Sequence, residues 1–451
     1  MAADRDPFND DDRPGGEPDP MAQFFDQFGI TPGPDGQIDM AALLPRLQAA
    51  MSQFQTQMAG YGPTDPASGM NWGFTQDVAR RVAASLGTDA TPTAAQVTQI
   101  RDAVGLADLW LDQNIAFPRI SAPATAWSRA DWVEQTFSTW QTLARPIVTS
   151  LAASMRDLMS REAAASGDNL MQPMVRAAAS GMFAAQVGQS LGRLAAEVVS
   201  VTDIGLPLTA RPQVALLPTN IADFSEGLDL SPGDVLIFLA LREAARQRLF
   251  ASVGWLGPQL HALVEHYARE ITIDQAALEE AIEGQLSSAM TPQDIQEAGL
   301  TLAGKLFEPS VSDEQRQVLA RLETLLALVE GWVDEVVSVT ITQWVPAAAA
   351  LTEVVRRRRA AGGPAEQALK ALVGLELRPR RTRDAANLWA ATRVARGAQA
   401  RDDAWDHPDL APTAADLDDP LGYAEGGHES TEPDDLDAQL AKLLDEESGQ
   451  G

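Results

Sequence analysis

The stretch SPGDVLIFLALREAARQRLF, from Ser231 to Phe250, decides the fold expected for this chain of 451 residues. Ser231 is a typical N-cap residue, Pro232 suits the first helical position, and Asp234 complements the helix dipole in the first turn. Every residue from 235 to 241 is apolar. Because such a helix leaves no face for water, we expect it in the middle of a domain, with other helices packed around it.

The following turns of the same helix carry the charged side chains Arg242, Glu243 and Arg246. Charges on a buried helix are costly unless they are paired, so the sequence places a candidate site here. Glu243 and Arg246, three residues apart, can form an ion pair on one helical face. Arg242 then needs an acid from another part of the chain, and Glu330 or Asp334 on a later predicted helix could supply it.

The segment from Leu241 to Phe250 resembles the active-site helix of a zincin-like family of zinc-dependent metalloproteases and hydrolases. This family was formerly described as a domain of unknown function, and one branch is associated with coenzyme F420 biosynthesis. Its complete members carry H-E-x-x-H, in which two histidines hold a zinc ion and the glutamate is the general base for metal-bound water. The matching residues here are Arg242, Glu243 and Arg246, so both histidines are replaced.

A second segment, Leu326 to Val336, is similar to a family segment that reads E-G-H, whose histidine is the expected third zinc ligand. Trp332 occupies that position. The resemblance covers residues 70 to 422 and implies that Arg242, Arg246 and Trp332 converge around the catalytic candidate Glu243. Since a guanidinium offers no lone pair to a metal, we expect no cofactor, with zinc present only if the family activity were retained.

Two functions remain open for such a chain. The first is a pseudoenzyme, a non-catalytic scaffold or binding protein that keeps the zincin cleft and binds a protein or peptide partner. The second is a metal-dependent peptidase or hydrolase that uses Glu243 as general base with a different metal arrangement. Apart from these two functions, the arginines of the cluster have a further interpretation, which is binding of an anion or a carboxylate. We favour a structural ion-pair network and the first function, because zinc catalysis without histidine ligands lacks a mechanism.

The four histidines do not restore a zinc site. His261 and His266 are five residues apart and point about 140° away from each other on a helix, whereas ligands four apart share a face. We predict that both face solvent or contact a polar partner. His407 and His428 lie in turn-like or tail sequence, where neither forms a ligand pair.

The predicted fold class is mainly α, a multi-helix zincin-like body with a small strand element beside the central helix. The strand candidate is 214–217, whose edge could hold an extended peptide in a zincin architecture. The body is expected to span 70–401. Residues 1–20 are predicted to be a disordered acidic tail, 21–69 a short amphipathic helix with a linker, and 402–451 an acidic, largely disordered tail.

Composition excludes several protein classes. The chain has 45% hydrophobic residues and no cysteine, which rules out disulfides and thiolate metal sites and favours a reducing cytoplasm. We find neither a secretory signal pattern nor an apolar run near the ~20 residues of a membrane span. Residue usage is typical of a GC-rich bacterial genome. The chain is therefore expected to be cytoplasmic, without a membrane partner.

Charge is distributed unevenly along the chain, whose net charge is −29. Residues 356–401 hold twelve basic and three acidic side chains, whereas 402–451 hold sixteen acidic side chains and one lysine. A basic segment can bind nucleic acid, but this one has little aromatic interleaving and an acidic segment follows it at once. We therefore favour neutralisation within the chain over a nucleic-acid partner.

Overall fold

The computed structural model describes residues 60–166, 172–269, 312–362, 370 and 381–426. Within these residues the fold is mainly α, as predicted, with twelve helices and a single two-stranded sheet. None of the helices in this described part combines the length and the apolarity that a membrane span requires.

The elements are numbered here in chain order. The helices are α1 Trp72–Ser85, α2 Ala94–Leu111, α3 Arg129–Ser166, α4 Gln172–Glu197, α5 Pro218–Ser225, α6 Pro232–Ser252, α7 Leu256–Arg269, α8 Asp313–Ile341, α9 Ala348–Ala360, α10 Thr382–Asp403, α11 Ala414–Asp418 and α12 Pro420–Ala424. The strands are β1 Thr125–Ala126 and β2 Ala215–Leu216.

The described residues divide into two compact units. The smaller unit contains 60–74, 151–166 and 172–184, and in it the Ser180 hydroxyl donates a hydrogen bond to the Gly69 carbonyl. All other described residues belong to the larger unit, which contains α6 and the candidate site.

Helix α6 is the central helix of the larger unit. Its residues from 235 to 249 are all buried, and it packs against α2, α8, α9, α5 and β2. The helix begins at Pro232, as predicted, and Ser231 takes the N-cap position in an extended conformation. The Ser231 side chain makes no capping hydrogen bond, and its carbonyl instead accepts from the amide of Val235. Buried packing therefore fixes this helix more than its cap does.

The predicted strand is confirmed as β2, which pairs in parallel with β1. On its other side, Leu216 forms an antiparallel bridge with Ser200. On the same side, the Val201 amide donates to the Ala215 carbonyl, and the Leu217 amide donates to the Val199 carbonyl. Both edges of β2 are thus occupied by the chain itself, so β2 offers no free edge to an extended peptide.

Helices α8 and α10 approach each other closely at Gly331. A Cβ atom at this position would lie 2.5 Å from the Cβ of Ala385 and 2.7 Å from the amide nitrogen of Ala386. Such distances are too short for non-bonded atoms, so only glycine fits between the two helices. Gly331 therefore sets how closely α8 lies against α10.

Residues 402–426 belong to the segment that is predicted to be an acidic, largely disordered tail. Helix α10 continues to Asp403, and the short helices α11 and α12 follow it and pack against it. Trp405 and Leu417 are almost fully buried, and Asp416 completes a capping box with Thr413. These apolar anchors outweigh the acidic composition of the segment. The predictions for residues 1–59 and 427–451 lie outside the described residues.

Candidate functional site

A buried charged cluster lies where α6 meets α8. We define it by the acids Asp203, Glu243, Glu330 and Asp334 and by the arginines Arg242, Arg246, Arg356, Arg358 and Arg359. On α6 the two arginines are four residues apart, and on α8 Glu330 and Asp334 have the same spacing. Side chains four apart share a helical face, so each helix directs two charges toward the other.

The α6 arginines bind the two α8 carboxylates directly. Arg242 Nη1 lies 2.6 Å from Asp334 Oδ1, and its Nη2 lies 3.0 Å from Glu330 Oε2. Arg246 Nε lies 2.8 Å from Glu330 Oε1. All four side chains are less than a tenth exposed. The prediction that Glu330 or Asp334 supplies an acid for Arg242 is confirmed, since both do.

Glu243 is fully buried and accepts hydrogen bonds on both carboxylate oxygens. Its Oε2 accepts from the hydroxyls of Ser200 at 2.7 Å and Thr202 at 2.6 Å, and from the Thr202 amide at 3.2 Å. Its Oε1 accepts from Gln247 Nε2 at 2.9 Å. Arg246 Nη1 lies 3.4 Å from Oε2, which confirms the predicted ion pair at this spacing.

Helix α9 adds arginines to the cluster from the solvent side. Arg356 Nε donates to Asp334 Oδ2 at 3.3 Å, and Arg359 Nη2 donates to Glu330 Oε2. Arg358 donates to the Glu197 carbonyl. Arg356, Arg358 and Arg359 therefore pair with acids of the body, whereas later in the basic segment Arg381 pairs with Asp418 and Arg401 pairs with Asp402.

Trp332 does not join the other predicted site residues. Its indole Nε1 donates to Asp402 Oδ1 at 3.0 Å, and the Arg401 guanidinium lies over its ring. The physical reason is helical geometry, because a residue two positions after Glu330 is rotated by about 200° and points to the opposite face of α8. On α8, Glu330 and Asp334 rather than the predicted Trp332 are thus the side chains that contact the arginines of α6.

Burial raises the pKa of Glu243, while Arg246 and the hydrogen bonds from Thr202, Ser200 and Gln247 act in the opposite direction. For Glu330, burial also favours the neutral carboxyl, but the nearby arginines outweigh it and lower the pKa. The pKa values of these two buried carboxyl groups therefore move in opposite directions, because Arg242, Arg246 and Arg359 act on Glu330 whereas Arg246 is the arginine that acts on Glu243.

We expect the free energy of unfolding to fall in acid because of Glu330 and Asp334. Their pKa values are held below the ordinary 4.5 and 3.8, since the surrounding arginines outweigh burial. A carboxyl with a lower pKa in the folded state stabilises fully above its unfolded value and loses this contribution as pH falls through the folded value. Urea unfolding from about pH 6 to about pH 3 measures this loss. In Asp334→Asn the acid-side slope should be shallower, and an unchanged slope would contradict the assignment.

The two neighbouring histidines contact polar partners, as predicted. His261 Nε2 lies 3.0 Å from the Pro207 carbonyl, and burial lowers its pKa. His266 Nε2 lies 3.2 Å from Glu314 Oε1. The rings have different partners and do not form a ligand pair.

The donor set of the cluster does not fit a zinc ion. A zinc site needs lone pairs from several nitrogen or oxygen atoms directed at one point. Here two positions that match the family motif carry guanidiniums, and the carboxylates of Glu243, Glu330 and Asp334 already accept from arginines or hydroxyls. Within the described residues, no group of three or more His, Asp or Glu side chains is arranged to hold a metal.

Three residues that hold Glu243 are not among the residues predicted from the sequence. Gln247 lies four residues after Glu243, so its helical spacing is a signal that could have identified it. Ser200 and Thr202 follow α4 in the chain, about forty residues before Glu243, and no local pattern relates them to it. Only the tertiary structure, in which Ser200 forms a bridge with β2, places these two residues beside Glu243.

The crystal structure of a putative hydrolase with a novel fold from Chloroflexus aurantiacus is similar to this chain, with a TM-score of 0.54 and 18% sequence identity. The match covers 80% of this chain and 99% of that chain, and at this identity it concerns the fold alone. No curated protein matches the chain.

A family model described as zincin-like metallopeptidase matches residues 70–424, which is most of the chain. The matched range contains the central helix α6, the facing helix α8 and the helices α11 and α12. The resemblance that the α6 segment shows in sequence is therefore confirmed over the larger part of the protein. This chain belongs to the family of zincin-like metallopeptidases.

Proposed function

We propose that this protein is a non-catalytic, cytoplasmic member of its family that has lost zinc binding and acts as a scaffold or binding protein for a protein or peptide partner. The observation that carries the proposal is the occupation of the α8 carboxylates by guanidiniums. Arg242 and Arg246 both contact Glu330, at 3.0 and 2.8 Å. The absence of cysteine supports a reducing compartment.

Charge balance explains how the fold persists without a metal ion. A zinc ion bound by two neutral imidazoles brings two positive charges to the site, and two guanidiniums bring the same number. Glu330 and Asp334 therefore have positively charged groups beside them in both cases, as buried carboxylates require. The arginines thus stabilise the interior of the larger unit without supplying a Lewis acid.

Glu243 is poorly suited to act as a general base. A general base must reach the proton that it removes through a free lone pair, either directly or through one water molecule. Glu243 is fully buried, and its two oxygens accept from Ser200, Thr202 and Gln247. In addition, β2 is paired on both sides, so a peptide substrate cannot add to this strand. These features favour a binding role over the alternative of peptide hydrolysis.

Metal analysis of the purified full-length chain tests this proposal. We expect far less than one zinc per chain after purification in zinc-supplemented medium, and no hydrolysis of unstructured peptides. Stoichiometric zinc would overturn the proposal. Peptide hydrolysis that disappears in Glu243→Gln would also overturn it, because that variant removes the candidate base and keeps the size of the side chain.

A further inference from the structure

We propose that the arginines of α9 form a binding site for an oxyanion, a carboxylate or phosphate group, at the solvent-facing side of the buried charged cluster. This inference rests on the proposed function, since it assumes that arginines rather than a metal occupy the cluster. It deepens that function by giving the chemistry of a ligand. Four observations on the cluster support it.

The first observation is a surplus of positive charge. With every carboxyl ionised, five guanidiniums face four carboxylates. The arginines are Arg242, Arg246, Arg356, Arg358 and Arg359, and the acids are Asp203, Glu243, Glu330 and Asp334. If Glu243 were protonated, the surplus would be larger. One more anion would balance the cluster.

The second observation is a guanidinium nitrogen without an acceptor. Arg359 Nη1 is buried, and it has no hydrogen-bond partner among the described residues. The nearest carboxylate oxygen in its ion pair, Asp334 Oδ1, is 3.8 Å away, beyond hydrogen-bond distance. A buried donor left unpaired is costly, so this group favours an additional acceptor.

The third observation is repulsion within the cluster. Burial lowers the pKa of Arg242, and the nearby charges of Arg359 and Arg246 act in the same direction against the attraction of Asp334 and Glu330. An anion beside Arg359 would reduce this repulsion. An anion at the unpaired Arg359 nitrogen would thus also offset a charge that acts on Arg242.

The fourth observation is access from solvent. The side chains of Arg356, Arg358 and Arg359 are 36%, 26% and 22% exposed, whereas Asp334 is 1% exposed. Arg356 donates from its Nε to Asp334, and among the described residues its terminal nitrogens have no hydrogen bond. An anion can therefore approach from the side of α9, where the most exposed of the three guanidiniums is that of Arg356.

The chemistry of these side chains selects the ligand class. A guanidinium presents its N–H groups in a planar fork that matches two oxygens of a carboxylate or phosphate, and these charge-assisted hydrogen bonds are stronger than neutral ones. Halide ions lack this geometry. We therefore expect selectivity for oxyanions over chloride at the same ionic strength.

The experiment titrates the full-length chain with inorganic phosphate and, separately, with succinate. Sodium chloride holds the ionic strength constant, and calorimetry and thermal unfolding follow binding. Phosphate binding alone would assign the site to phosphate groups, succinate binding alone to carboxylates, and either result supports the proposal. Arg356→Gln should weaken binding by about tenfold or more, the loss expected for one charge-assisted hydrogen bond.

Arg357→Gln is the matched control on the same helix. Arg357 is 78% exposed and pairs with Glu353 outside the cluster, so this variant should bind as the unmodified chain does. Arg356→Lys keeps the charge and should recover only part of the affinity, which separates the fork geometry from net charge. Equal affinities in the Arg356→Gln and Arg357→Gln variants would overturn the proposal.

Failure of this inference can be distinguished from failure of the proposed function. Zinc is measured on the same preparation that is titrated. Zinc-free protein that shows no saturable response to phosphate or succinate would overturn the oxyanion site and leave the non-catalytic function in place. Stoichiometric zinc would overturn the proposed function and, with it, this inference.

Discussion

Replacement of Arg246 by alanine should lower the free energy of unfolding by about 3–5 kcal/mol, the loss expected when one partner of a buried ion pair is removed. Arg246 is 1% exposed and contacts both Glu243 and Glu330, at 3.4 and 2.8 Å. The substitution leaves both carboxylates in a low-dielectric interior without this guanidinium, and it also leaves a space. Urea unfolding followed by circular dichroism measures the change.

Arg357→Ala provides the control for the same type of substitution at the surface. Its pair with Glu353 has an Nε to Oε1 distance of 2.8 Å, but both side chains are largely exposed. Exposed pairs contribute about 0–1 kcal/mol, so this variant should unfold almost as the unmodified chain does. If Arg246→Ala also lost less than about 1 kcal/mol, the cluster would be accessible to water in solution, contrary to the structure.

The double substitution Arg242→His and Arg246→His should create a zinc site. Histidines at these positions share a face of α6, and the guanidiniums that they replace both contact Glu330, so we expect Glu330 to be the third ligand although Arg359 still pairs with it. We expect one zinc per chain in the double variant and far less in the unmodified protein. Metal analysis and calorimetric titration with zinc measure the difference.

Two further variants test which α8 residue completes this site. Adding Glu330→Gln should weaken zinc binding strongly, because it removes a metal ligand. The loss of affinity should exceed the ~10–100-fold that is typical when a residue hydrogen-bonded to a ligand is replaced. Adding Trp332→His should give no increase in affinity, because Trp332 contacts Asp402 on the other face of α8. Tighter zinc binding with Trp332→His than without it would show that the structure places α8 in the wrong rotation.

The central helix could be predicted from sequence because its signals are local. An unbroken apolar run predicts burial on all faces, and Pro232 marks the first turn where the structure begins α6. The charged cluster could also be predicted from the sequence, since Glu243 and Arg246 are neighbours on one helix. The spacing of Glu330 and Asp334 matches a face that can meet α6.

The remaining parts depend on contacts that no local pattern encodes. The motif resemblance aligns Trp332 with the histidine of the family segment E-G-H. It does not determine on which face of α8 this residue lies. Composition predicted disorder after residue 401, whereas a few apolar anchors such as Trp405 and Leu417 hold that segment against the body. Whether such anchors find a surface to pack on is a tertiary property.

Gly331 has a consequence for how substitutions in this protein combine. Gly331 keeps α8 close to α10 and lies between Glu330 and Trp332 in the chain. Glu330 contacts the arginines of α6, and Trp332 contacts Asp402. A side chain at residue 331 would displace α8 and so disturb two polar networks that share no residue. Substitutions in these networks should therefore show epistasis, the effect of one depending on the other, because a single helix transmits every displacement between them.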